Sequence, residues 1–207
     1  MPKKIDIEKI LREGGNFEGL DLTFAKFRGL TIENANFNDT SMTAADFAGA
    51  TLINCSFDGA YIPEINFAGA ILINCSFNES FLQRANFRGA HLKNVNFNGA
   101  FLNVSNFDEA KLESVIFKEC AMKKSSFRFA LVKDSVFENV NLQGSNLEKS
   151  NFRNVKFIES DLRRVNTSHA VFTEIEDENT AFYGKKPWGG KPYNLDENIY
   201  QAGSYDG

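Results

Sequence analysis

Among side chains able to do specific chemistry, this 207-residue chain carries three cysteines and two histidines. A zinc site or a dithiol redox pair needs cysteines grouped as in Cys-x-x-Cys, and Cys55, Cys75 and Cys120 stand far apart in the chain. Their odd number also argues against a disulfide framework, so reduced thiols and no metal are expected. His91 and His169 have no nucleophile and orienting carboxylate grouped around them, which leaves neither a hydrolytic triad nor a histidine metal site to build. Carboxylates are plentiful, but an acid–base pair works only inside a cleft. Whether a cleft exists depends on the elements that hold these residues.

Those elements repeat every five residues. Stepping by five from Phe17 to Phe172 meets a large apolar side chain at every position except Thr167. The step alternates mostly between Phe and an aliphatic residue, which explains why the chain has 21 Phe against five Tyr and one Trp. Two residues before each lies a mostly small one, as at Ala45, Cys55, Ala60, Ala85 and Ala100, and between them often Asn, Asp, Ser or Thr. Units such as ADFAG, ANFRG and VNFNG result.

A period of five fits neither a helix nor a strand. It fits a chain that turns a corner every five residues and buries one large and one small side chain per edge. Four edges close a square coil of twenty residues, and coils stack through strand-type hydrogen bonds at roughly 4.8 Å. The thirty-two steps predict eight coils, with residues twenty apart sharing an edge. Phe17, Phe37, Phe57 and their successors to Phe157 then form one stack, and Phe27 to Phe127 form another on the opposite edge. Side chains fill the interior and no insertion interrupts the register between Phe17 and Leu162, so no cleft, no cofactor site and no enzymatic activity are expected.

The unit resembles the pentapeptide-repeat motif, A(D/N)(L/F)xx, over about residues 15 to 176. The resemblance implies an all-β fold, a right-handed quadrilateral β-helix. It implies little about function, because a fold of this kind hosts whatever its surface carries.

The solenoid is expected over 15–176, with a helical cap over 1–14 and an irregular arm over 177–207. Ile7, Ile10 and Leu11 fall on one helical face, Asp6 can cap its amino end, and Gly14 and Gly15 can end it. At the other end Asp177 breaks the period, and four of the five tyrosines and the tryptophan follow Phe182. These aromatics either shield the last coil, the favoured reading, or bind a partner. The opening MPKKIDIEKILREGG has no apolar stretch of signal-peptide length and no run reaches membrane-spanning length, so a cytoplasmic protein without membrane contact is expected.

On the surface, Tyr61, Phe81 and Phe101 stand one coil apart at an outward position where the motif wants Asn or Asp. Three aromatics in line can dock a protein partner, or can stack on one another and shield the backbone. Ile53, Ile71 and Ile73 make a smaller apolar patch on the opposite edge, and Asn34, Asn54, Asn74 and Asn94 form a ladder suited to amide hydrogen bonds along the rod. Charge is uneven: no Lys or Arg lies between Arg28 and Arg84, a stretch that includes Asp39, Asp46 and Asp58. The net charge of −4 is too mild to mark a direct nucleic-acid binder.

The favoured function is a non-catalytic protein-interaction scaffold that presents the faces of the rod, with Tyr61, Phe81 and Phe101 as anchors and the oligomeric state open. The resemblance supplies an alternative, because some pentapeptide-repeat proteins mimic B-form DNA, bind DNA gyrase or topoisomerase IV, and protect them from quinolones. Asp39, Asp46 and Asp58 would belong to the acidic face of such a mimic. That reading stands second: the projecting loops of the quinolone-resistance members and their helical dimerisation element have no counterpart here.

Overall fold

In the computed structural model, which describes residues 5–189, the chain winds into a solenoid with parallel strand pairing throughout. Thr31, Thr51, Ile71, His91, Lys111, Leu131, Asn151 and Val171 follow one another in register up one face. They mark eight rungs joined by about seven full turns of twenty residues, as the pentad spacing predicts. The other faces are stitched mostly by single bridges between residues twenty apart, such as Asn66 with Asn86 and Phe81 with Phe101.

The corner explains the period. In most pentads the N–H three residues after the central side chain donates to that residue's carbonyl, as from Ala100 to Phe97 at 3.0 Å. The residue just before this donor takes a positive φ, the geometry of a type II turn. Gly99 sits there at 68° and Glu79 at 56°, and Asn94 takes the same region, at 54°, at a corner without that bond. Glycine and asparagine tolerate that region best, which accounts for their frequency at the motif's last place.

The central side chains point inward. Phe17 through Leu162 are buried without interruption, and the small residues two places earlier are buried with them from Ala35 to Ser160. The two Phe stacks run parallel up opposite faces. Phe77, Phe97 and Phe117 are spaced 5.1 Å apart with their planes nearly parallel, and Phe87 meets Phe97 edge-on at 5.8 Å. Edge-to-face and offset contacts add to burial, which is why Phe, rather than another large apolar residue, fills two of the four faces.

The ends close differently. The helix Ile7–Arg12 covers the first coil with Ile7, Ile10 and Leu11, Asp6 accepts from the Lys9 N–H at 2.9 Å, and Gly14 and Gly15 leave the helix with positive φ. At the other end Phe172 is only partly buried, because its coil is the last. Asp177 occupies an inward position of that coil, where its carboxylate accepts from Lys186 Nζ at 2.6 Å and Trp188 Nε1 at 3.0 Å. The Trp188 ring lies 5.2 Å from Phe157 and 5.1 Å from Phe172, so the first part of the arm shields the coil. The remaining arm aromatics, Tyr193, Tyr200 and Tyr205, lie outside the described residues.

Candidate functional site

Each coil edge offers the same frame: a central side chain pointing in, outward residues before and after it, and a left-handed residue at each flanking corner. The residue before the centre shows why the motif wants Asn or Asp there. Its side-chain oxygen accepts from the N–H two residues on, closing a local turn. On one face Asp21, Asn141 and Asp161 make this bond to Thr23, Gln143 and Arg163 at 3.0 to 3.1 Å. On the same face, between these, stand Tyr61, Phe81 and Phe101, which have no such acceptor.

The structure brings the three aromatics together as expected. Tyr61, Phe81 and Phe101 are 52%, 38% and 41% exposed, far more than the buried stacks behind them. Phe81 and Phe101 stack at 4.9 Å with planes 5° apart, and Tyr61 joins them tilted at 5.9 Å. The energetics nearly cancel. A stacked pair is worth about 0.5 to 1.5 kcal/mol, and the forgone hydrogen bond is worth about 1 kcal/mol. Stability therefore gives little reason for this departure from the motif.

Beside the row runs a shallow groove of about 410 Å³, lined by Tyr61 of the row, by Pro63, Gln83 and Asn103, and by the corner residues Glu64, Arg84 and Val104. Val104 is 51% exposed and extends the apolar surface. Sequence reading missed this groove. The signal was available: Pro63 is an imino acid at a position that otherwise carries a polar residue from Thr23 to Arg163, and Val104 is β-branched at a left-handed corner, where φ of 64° disfavours it. The corner on the other side of the row carries Asp39, Glu79, Glu119 and Glu159 on alternate rungs. Glycine fills the intervening rungs at 59 and 99, and a Cβ on Gly99 would lie 3.3 Å from Glu79 Cγ. The acid of one rung thus leans over the glycine of the next.

The three candidate acidic residues do not share a face. Asp39 and Asp58 lie at neighbouring rungs, with the Asp39 N–H donating to the Asp58 carbonyl at 3.0 Å. The Asp58 carboxylate already accepts from Ser76 Oγ and from the Asn78 N–H at 2.8 Å. Asp46 is on the edge that follows the aromatic face, where it accepts from Asn66 Nδ2 at 3.0 Å and from the Ala48 N–H at 3.0 Å, and Arg28 stands 3.6 Å away. On the face opposite the row, Ile71 is 40% exposed while Ile53 and Ile73 are half-buried. The asparagine ladder forms, with Asn54, Asn74 and Asn94 each donating to the amide below at 3.0 to 3.1 Å.

The groups with potential chemistry are spent on structure or dispersed. The three cysteines are buried free thiols; Cys120 donates to the Phe97 carbonyl at 2.7 Å, and burial pushes it up to about 12. The Cys75 thiol is pushed up as well, by its hydrogen bond with Cys55 and then by burial. Both histidines are exposed, four rungs apart. Among the described residues no group of three or more His, Cys, Asp or Glu could hold a metal ion. No helix among them is long and apolar enough to cross a membrane.

Comparison with known proteins agrees with this geometry. The family model described as a pentapeptide repeat region matches residues 45–127 and 110–183, and the model for pentapeptide repeats (eight copies) matches residues 16–59. No curated protein matches the chain. Among solved structures it is similar to HetL, a pentapeptide repeat protein involved in heterocyst differentiation regulation in the cyanobacterium Nostoc sp. strain PCC 7120. That match has 18% identity and a TM-score of 0.52, covering 83% of this chain and 94% of HetL. A trypsin-treated form of QnrB1, a plasmid-mediated fluoroquinolone resistance protein, matches at 18% identity and a TM-score of 0.45 over 80% of this chain and 91% of QnrB1. A pentapeptide repeat protein of the Arabidopsis thaliana thylakoid lumen is 31% identical with a TM-score of 0.42, over 44% of this chain and 63% of its own. At these levels HetL speaks for the fold, and the other two superpose too loosely to bear on function.

Proposed function

The chain belongs to the pentapeptide-repeat family, and on that premise we propose that it is a non-catalytic interaction scaffold whose docking face is the edge carrying Tyr61, Phe81 and Phe101. The observation that carries this reading is the exposed aromatic row itself, which forgoes the motif's turn-closing hydrogen bond and gains little stability in exchange. Aromatic side chains are the commonest anchors of protein interfaces because they bury much area and lose little rotamer entropy. The groove beside the row gives a partner side chain somewhere to go. A filled interior and an uninterrupted register support the non-catalytic part, since a solenoid binds through an extended face rather than a cleft.

Replacing Phe81 by Asn, the motif's own residue, separates recognition from stability. With the full-length chain as bait in extract of its native host, a protein held by the wild type should be retained at least about 30-fold less by Phe81→Asn, the loss expected of an interface anchor. Equal retention by the two baits would overturn the reading.

A further inference from the structure

We infer that the partner of the aromatic face is a second copy of this chain, lying alongside in the same direction about a two-fold axis parallel to the rod. This rests on that face being a docking surface and adds what docks there.

Shape points to it first. The face carries a ridge, Tyr61, Phe81 and Phe101, and beside it the groove lined by Pro63, Gln83 and Asn103. When two such faces meet about an axis along the rod, left and right exchange while height is kept, so each ridge enters the other's groove rung by rung. Phe81 of one copy then lies over Gln83 of the other, and Tyr61 over Pro63. An axis across the rod would instead set ridge against ridge.

Charge makes the same choice. The corner before the ridge carries Glu79, Glu119 and Glu159, and the corner beyond the groove carries Arg84, Lys124 and Arg164, all exposed and all on matching rungs. The axial two-fold sets each acid opposite a base: Glu79 against Arg84, Glu119 against Lys124, Glu159 against Arg164. The other rungs are free of conflict. Glu64 faces Gly59 and is already bound to Arg84 of its own chain at 3.3 Å, Asp39 faces Ala44, and Val104 faces Gly99. Nowhere along the face do like charges meet. An axis across the rod centred on Phe81 would instead bring Glu79 to Glu79 and Arg84 to Arg84. Within one chain Glu79, Glu119, Glu159, Lys124 and Arg164 make no ion pair among the described residues, so they are available to a partner. Among the described residues no other face of the solenoid repeats such an opposition of corners. Complementary potential of this kind fixes register and excludes wrong orientations more than it adds affinity.

Two charge-reversed full-length chains test it by sedimentation. One carries Glu79→Lys with Glu119→Lys, so both corners are basic; the other carries Arg84→Glu with Lys124→Glu, so both are acidic. Wild type should sediment as a dimer, and each reversed chain alone should have a dimer dissociation constant raised at least about tenfold. An equimolar mixture of the two should recover the dimer. Unchanged melting of each chain shows that it is folded. A monomeric wild type overturns the self-pairing, as does a dimer that both reversals leave intact. Host-extract capture by Phe81→Asn then shows separately whether the docking-face reading stands.

Discussion

Two aromatic columns climb this rod at the same pitch, one on each side of the backbone. Phe77, Phe97 and Phe117 stack at 5.1 Å inside, and Phe81 and Phe101 stack at 4.9 Å outside. Geometry barely distinguishes them, but solvent does. The inner rings are fully buried, whereas the outer ones keep about two fifths of their surface in water. The inner column also meets the opposite Phe stack edge-on, while the outer one has only its own members. The same ring–ring contact therefore serves cohesion in one place and leaves an exposed apolar surface in the other. Stacking distance alone does not tell a core aromatic from a surface one; what lies on the ring's other side does.

The sharpest way to break this contrast is to truncate one ring in each column. Phe97→Ala opens a cavity that rigid neighbouring coils cannot close, and should cost roughly 3 to 5 kcal/mol in denaturant unfolding. A loss below about 1 kcal/mol would mean the inner column is not the cohesive one.

The closed carboxyl-terminal end comes next. Lys186 and Asp177 are 8% and 11% exposed in their side chains, and Lys186→Ala would leave the Asp177 carboxylate without its ionic partner. About 1.5 to 3 kcal/mol should be lost, the scale of a hydrogen bond to a charged group. Burial pulls the Asp177 carboxyl up, but hydrogen bonds from Lys186, Trp188 and Thr180 outweigh it and hold the group below its ordinary value of 3.8. A lowered folded value means the contribution is complete above the unfolded carboxyl range and fades as pH falls below about 4. Melting from pH 6 to pH 3 should accordingly cost the wild type more than Asp177→Asn. Parallel pH profiles would remove this pair from the cap.

A smaller effect is expected at the outer column. Phe81→Asn exchanges two stacking pairs for the motif's local hydrogen bond, and its unfolding free energy should stay within about 1 kcal/mol of wild type. A loss as large as that of Phe97→Ala would make the outer row structural. The smallest effect of all is expected from the acidic stretch. Asp46 and Asp58 are committed to hydrogen bonds within the rod and lie on different edges, so added protein should leave gyrase supercoiling unchanged at micromolar concentration. Inhibition that disappears when Asp39, Asp46 and Asp58 are changed to Asn would revive a DNA-mimic role.

Much of the fold was legible because every pentad solves the same problem. The inward Phe and aliphatic residues, the asparagine ladder and the aromatic row all follow from reading residues twenty apart as neighbours. The corner was less legible: Glu79 and Lys124 sit at positive φ where composition gives no hint, because stacking imposes that turn on whatever residue occupies it. The acidic triplet was grouped by proximity along the chain, but the coil separates Asp46 from Asp58 by two corners. The acid and base corners escaped notice because their members are forty residues apart, on alternate rungs, and only the folded face sets them side by side.

The claim that the outer column is a recognition surface is tested most directly by asking what touches it in the living host. A photo-crosslinking amino acid placed at Phe81 should, on irradiation, join the chain to a specific protein, with a second copy of this chain giving a product of twice its mass. The same group at His91, exposed on the opposite face, should give none. Equal labelling from the two positions, or no product from Phe81, would contradict it.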